Sequence, residues 1–173
     1  MPLPDYRKKS HQNRDDLTGE HLVGDAGQAI LACLFFAVWI LDSFFLNYTT
    51  CLNQYIPLII RMPLGIVLLL LSGYLAQKSL SIVFGERRDP PVVIRKSIFN
   101  IVRHPMYLSE ILLYFAFIVF SVSLASIVVW IIAIGFLHYI SRSEEKLLAA
   151  RFGDEYTQYM KAVPMWIPRL RKK

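Results

Sequence analysis

At 173 residues the chain holds one domain, or one domain with an appendage. Apolar residues supply 55% of it and charged residues 18%, with a mean hydropathy of +0.42, which excludes disorder, collagen-like repeats and a disulfide-stapled secreted domain and disfavours an ordinary soluble globule. The formal charge of +6 sits beside apolar runs, so a membrane surface rather than nucleic acid is the expected partner.

Residues 1–26 mix both signs of charge with little apolar content and are expected to form a cytoplasmic N-terminal segment. Their Arg7-Lys8-Lys9 cluster reads as a topology signal or an anionic-lipid contact. The first apolar run comes only after this stretch and no small-residue cleavage site follows it, so no cleavable signal peptide is expected.

Residues 27–173 are expected to form one all-α, polytopic membrane domain with about four transmembrane helices and a cytoplasmic amphipathic C-terminal helix. The spans are predicted at Gln28–Tyr48, Ile56–Gln77, Pro105–Val122 and Leu124–Ser141. The last two are short and are joined by Ser121-Val-Ser-Leu-Ala-Ser126, so a re-entrant hairpin is the alternative for that pair. The connections Asn47–Tyr55 and Ser121–Ser126 carry no charge, whereas 18 of the 19 Lys and Arg lie in the N-terminal segment, the Lys78–Arg103 connection or the tail from Arg142. That asymmetry predicts both termini in the cytoplasm. Glu86-Arg87-Arg88-Asp89-Pro90-Pro91 should break any helix, leaving Val92-Val93-Ile94 extended. Beyond Ser143, Leu148, Phe152, Tyr156 and Met160 form an i, i+4 stripe, predicting an amphipathic helix to Val163 that lies on the membrane or against the core.

Ionisable groups in apolar spans are expensive and mark partners or sites. Four stand out. Asp42 and Arg61, both in the outer halves of adjacent spans, can form an ion pair. Glu110 can be a solvated end residue or line a site, and His138 can be an interface histidine or a ligand. The densest constellation is Arg103-His104-Pro105-Met106-Tyr107 at the mouth of the third span, facing Glu144-Glu145 beyond the fourth. Two basic residues, a phenol and two carboxylates around one mouth can hold a zwitterionic ligand. The same residues can also be a positive-inside flank with a proline in the first helical turn. The two cysteines, Cys33 and Cys51, suggest neither a metal cluster nor a disulfide, no His/Cys group suggests a metal site, and no Gly-x-Gly supports a soluble nucleotide fold.

The order Arg103-His104-Pro105-x-Tyr107, apolar hairpin, Glu144-Glu145, Phe152-Gly153-Asp154-Glu155-Tyr156-x-x-Tyr159 and a closing proline resembles the isoprenylcysteine carboxyl methyltransferase family, grouped with phospholipid methyltransferases among integral-membrane methyltransferases. The resemblance covers roughly residues 92–168. It implies S-adenosylmethionine as donor, bound on the cytoplasmic side, and a lipophilic acceptor arriving from the bilayer. By position it implies donor contacts at His104, Pro105, Met106, Tyr107 and Glu144, with Val92, Val93, Ile94, Phe99 and Glu145 around them. The chain departs from the pattern at Phe99, which stands where a tyrosine is usual, at Ser109 in place of a glycine, and at Ile140 in place of a substrate-contacting arginine. Arg142 is the nearest replacement, and Arg142 and Glu110 are the candidate catalytic groups. Asp42, Arg61 and His138 are the candidate acceptor contacts. The expected activity is carboxyl methylation of an isoprenylcysteine, with methylation of a phospholipid amine or another lipophile as the alternative. A non-catalytic binding module is the reading from another class.

Overall fold

The computed structural model describes residues 22–85 and 90–168. The Arg7-Lys8-Lys9 cluster and the break expected at Glu86–Asp89 lie outside them. Among the described residues the chain is all helix, turn and extended coil, without strands.

Five α-helices order the chain: α1 (Leu22–Ile40), α2 (Leu58–Phe84), α3 (Pro105–Ser121), α4 (Leu124–Phe152) and α5 (Asp154–Ala162). A π-helical turn, Leu41–Leu46, prolongs α1 and ends at Asn47 in the left-handed region. The segments Gly24–Leu46, Leu58–Phe84 and Leu124–Phe152 are long and apolar enough to cross a membrane. The fourth expected span, α3, has 17 residues, about 26 Å at 1.5 Å per residue, somewhat less than the roughly 30 Å of a hydrocarbon core. Its place in the bundle accounts for that length. It packs along α2 and also meets α1 and α4, so protein surrounds much of it, while the outer faces of α2 and α4 expose Ile59, Leu70 and Ile131, as lipid-facing helices do.

Close packing is carried by small residues and rings. A side chain at Gly27 would collide with the Phe136 ring, and one at Gly65 with Phe120, so both glycines let helices approach where no larger residue fits. Phe35 of α1 stacks on buried Tyr114 of α3 at 4.4 Å. Trp39 Nε1 donates to Phe117 O at 2.9 Å and Trp130 Nε1 to Ile111 O at 3.0 Å, which satisfies both indoles inside an apolar interface.

The end of the bundle away from the α3 N-terminus is locked by polar side chains. Asp42 accepts from Thr49 N at 3.0 Å, Thr49 Oγ1 at 2.5 Å and Ser123 Oγ at 2.6 Å. Arg61 donates to Asn53 Oδ1, to Ile56 O at 2.9 Å and to Phe120 O at 2.6 Å. The expected Asp42–Arg61 ion pair is therefore not formed. Neighbouring hydroxyls and carbonyls at shorter reach satisfy each charge separately, and each ties a different pair of helix ends.

Two further expectations change. The single amphipathic helix from Ser143 to Val163 is instead the end of α4 followed by α5. Gly153, at φ 58°, breaks it, and Asp154 and Glu155 begin the new helix, where acidic residues complement the helix dipole. The stripe itself holds. Leu148, Phe152 and Met160 pack with Tyr156, Tyr159 and Val163, and this cluster also touches Val93, so α5 lies against the bundle. At the other terminus, α1 starts at Leu22, inside the stretch expected to be an N-terminal segment.

Candidate active site

His104 ends a short connection and caps α3, whose first helical residue, Pro105, fits a position that needs no amide donor. One turn in, Tyr107 stacks on the His104 ring at 5.6 Å and 11°. Both face the second half of α4. Tyr107 OH donates to Glu144 Oε1. His104 Nδ1 lies 3.6 Å from Glu144 Oε2, and Nε2 lies 3.2 Å from Glu145 Oε1. The imidazole thus lies between two carboxylates and is within hydrogen-bond distance of Glu145 alone. Burial holds its pKa below the ordinary histidine range despite the pull of Glu145, so the ring is neutral near pH 7.

Arg103 reaches the cavity wall, but its guanidinium is taken up by protein partners. Its Nε donates to Glu145 Oε1 at 2.8 Å, and its guanidinium donates to Met160 O at 2.7 Å and Val163 O at 2.5 Å. Main-chain bonds from Arg103 N to Pro164 O and from His104 N to Met165 O complete the clamp. The arginine fixes the chain beyond α5 against α4, and its charge is spent on Glu145.

These elements wall a cavity of about 380 Å³, within the roughly 300–1,000 Å³ range of small-molecule sites. The run from His104 to Tyr107 lines it with Glu144, Phe99 and Val92–Ile94. Those positions come together as the sequence suggests. Glu145 is not among the lining residues and is held by Arg103 and His104. Glu110 is outside the lining and accepts from Tyr114 OH at 2.6 Å. Arg142, with its side chain 61% exposed, is outside the lining, and its Nη1 lies 3.7 Å from Glu145 Oε2. Exposed His138 packs against the Trp166 ring at 5.6 Å, and Asp42 and Arg61 belong to the lock at the opposite end.

The wall has members that sequence reasoning missed. Gly24, Asp25 and Gln28 enter from α1, Leu80, Val83 and Phe84 from the end of α2, and Tyr156 and Tyr159 from α5. Asp25, a charge directly before an apolar run, was the available signal. Burial raises both phenols, Tyr159 to about 12, so they remain protonated donors. Tyr159 OH is already committed to Phe99 O at 2.6 Å.

Three apolar helices long enough to cross a membrane, with a polar-mouthed cavity of small-molecule size at one end, define a polytopic membrane protein. The phospholipid methyltransferase family model matches residues 60–155, more than half of the chain, and the chain belongs to that family. It is an integral-membrane methyltransferase of the phospholipid or isoprenylcysteine type. No curated protein matches it significantly.

Proposed function

We propose that the cavity holds S-adenosylmethionine and that the enzyme transfers its methyl group to an amine-bearing lipid reached from the bilayer. The convergence of His104, Tyr107 and Glu144 on one apolar-walled cavity carries this reading. The residues suit the donor. Carboxylates at Glu144 and Asp25 complement a ligand with a sulfonium and an ammonium, and Glu144 with Tyr107 can also engage ribose hydroxyls. Phe99, Phe152 and Val92–Ile94 offer an apolar bed for a base. When bound, S-adenosylmethionine supplies a methyl group on a positively charged sulfur. The protein's part is to align the attacking atom and exclude water.

The charges described on the wall favour an amine as acceptor. Among the described residues the cations on the cavity wall are Arg103, spent on Glu145, and His104, which is neutral. Ile140 is buried and apolar where a carboxylate-binding arginine is expected. An amine-bearing acceptor complements the carboxylates of Glu144 and Asp25 on the wall. Carboxyl methylation of an isoprenylcysteine is the second reading, favoured by the order of motifs and by exposed Arg142 near the mouth. Charge asymmetry supports placing the cavity and both termini on the cytoplasmic side.

Titration calorimetry of the detergent-purified protein with S-adenosylhomocysteine, beside NADPH, tests the donor. Micromolar binding of the first alone is expected. Binding of neither by folded protein would point to a non-catalytic module. Labelled donor offered with an amine phospholipid and with a prenylated cysteine peptide separates the two acceptors.

A further inference from the structure

Tyr156 brings to the cavity wall a hydroxyl that no protein group engages. The residue is only 4% exposed, yet its hydroxyl makes no hydrogen bond among the described residues. The oxygen is not sealed by protein and the residue lines the cavity, so the hydroxyl opens there. Each of the other side-chain donors on the wall has an acceptor already. Tyr107 donates to Glu144, Tyr159 to Phe99 O at 2.6 Å and Gln28 Nε2 to Gly24 O at 3.2 Å, while His104 and Arg103 reach Glu145. A buried hydroxyl without a partner destabilises the fold, and an acceptor on a ligand offsets that.

The surroundings narrow the group that this hydroxyl can take. Tyr156 belongs to the apolar cluster of α5, of which Val93, Leu148 and Phe152 share the cavity wall with it. The cations that act on its phenol and on that of Tyr159 are engaged. Arg103 holds Glu145 and two carbonyls, and Arg95 holds Glu155 O and covers the Tyr159 ring. Arg151, over the Phe152 ring, is exposed and outside the lining. A carboxylate brought to Tyr156 would be buried without a free counter-charge, which is costly. Burial holds the phenol above its ordinary pKa, so it is a neutral O–H in need of an acceptor. Apolar walls with one such donor suit a heteroaromatic ring whose nitrogens accept and carry no charge.

We infer that Tyr156 reads the base of the methyl donor, its hydroxyl donating to a ring nitrogen of the adenine. The inference rests on the reading that the cavity holds S-adenosylmethionine, and it divides that molecule over the wall by chemistry. Sulfonium and ammonium are complemented by carboxylates, and ribose hydroxyls bring their own donors, which a carboxylate accepts. Adenine ring nitrogens only accept, and among the described residues Tyr156 holds the one hydroxyl on the wall without an acceptor. Because Tyr156 lies on α5, beyond the break at Gly153, the last helix rather than the run around His104 discriminates the base.

The test compares full-length wild type and Tyr156→Phe in detergent. Titration calorimetry uses S-adenosylhomocysteine and its 1-deaza, 3-deaza and 7-deaza forms, each with one ring nitrogen replaced by C–H. Tyr156→Phe is expected to bind S-adenosylhomocysteine about threefold to tenfold more weakly. One deaza form should lose a similar factor on wild type and nothing further on Tyr156→Phe, the mark of a shared bond. Without ligand, Tyr156→Phe should melt at or above the wild-type temperature, since no protein bond is lost. Equal affinity of both proteins for S-adenosylhomocysteine overturns the inference. So does a loss that is the same for every deaza form as for the parent, which is a ribose or packing effect. A fall in the unliganded melting temperature reveals a protein partner for the hydroxyl and overturns it too. Wild-type protein that binds every deaza form as tightly as the parent overturns it without any variant. Wild-type protein that fails to bind S-adenosylhomocysteine removes the donor reading itself.

Discussion

Arg103 and Glu145 meet through two guanidinium nitrogens on one carboxylate oxygen, at 2.8 and 2.7 Å, with both side chains almost wholly buried. The pair closes the junction between α3, α4 and α5, and Arg103 supplies one bond to the last turn of α5 and two to the chain beyond it.

Breaking a buried pair leaves one charge uncompensated, which destabilises by about 3–5 kcal/mol. Arg103→Ala is therefore expected to lower the melting temperature strongly in detergent. Arg103→Lys should fall between, because an ammonium cannot span the carboxylate and two carbonyls at once. Scanning fluorimetry of both variants checks the order.

Glu144→Gln removes a charge from the cavity wall while keeping its shape. Loss of one charge-assisted hydrogen bond, roughly 1.5–3 kcal/mol, should weaken S-adenosylhomocysteine binding by about tenfold or more. Tyr107→Phe, which deletes the donor to Glu144, is expected to give a smaller loss. Calorimetric affinity equal to wild type in folded Glu144→Gln would remove Glu144 from the donor site.

Asp42→Asn acts at the other end. An amide in place of the carboxylate turns one acceptor toward donors into a donor, and the three bonds from Thr49 and Ser123 cannot all survive. A loss of about 1–3 kcal/mol in stability is expected, with donor affinity unchanged. A collapse of donor affinity in the folded variant would show that the two ends are coupled.

Acid should loosen the site. Burial lowers the pKa of His104 in the folded protein, so between that value and the ordinary one near 6.5 the unfolded chain binds the extra proton and the folded chain does not. Stability from this group is complete above about pH 6.5 and falls as the pH drops through that region. His104→Gln should flatten this part of the profile, read as melting temperature against pH.

Three of the four spans, the meeting of both polar clusters at one mouth and the run from His104 to Glu144 are legible because each depends on local hydropathy or on a motif along the chain. The role of Arg103 was not. Its acceptors at Met160 and Val163 are main-chain carbonyls, which carry no signature in the sequence, and they arrive only because the tail folds back. Asp42 and Arg61 lie at the expected end, but a match by charge fails because the hydroxyls of Thr49 and Ser123 and the carbonyl of Phe120 reach them first. The break at Gly153 was hidden by a stripe that continues across it in register, although a glycine followed by two acids was the sign of a new helix start. Asp25 is missed because residues 1–26 read as an N-terminal segment outside the membrane domain, whereas α1 begins at Leu22.

The cavity wall includes Gly24 near the beginning of the described chain and Tyr159 near its end. During synthesis, all the apolar helices can therefore be in the bilayer before any pocket exists. Ribosomes that stop short of α5 would release an inserted bundle with an open, ligandless mouth and with Arg103 lacking its carbonyl acceptors, a natural substrate for membrane quality control.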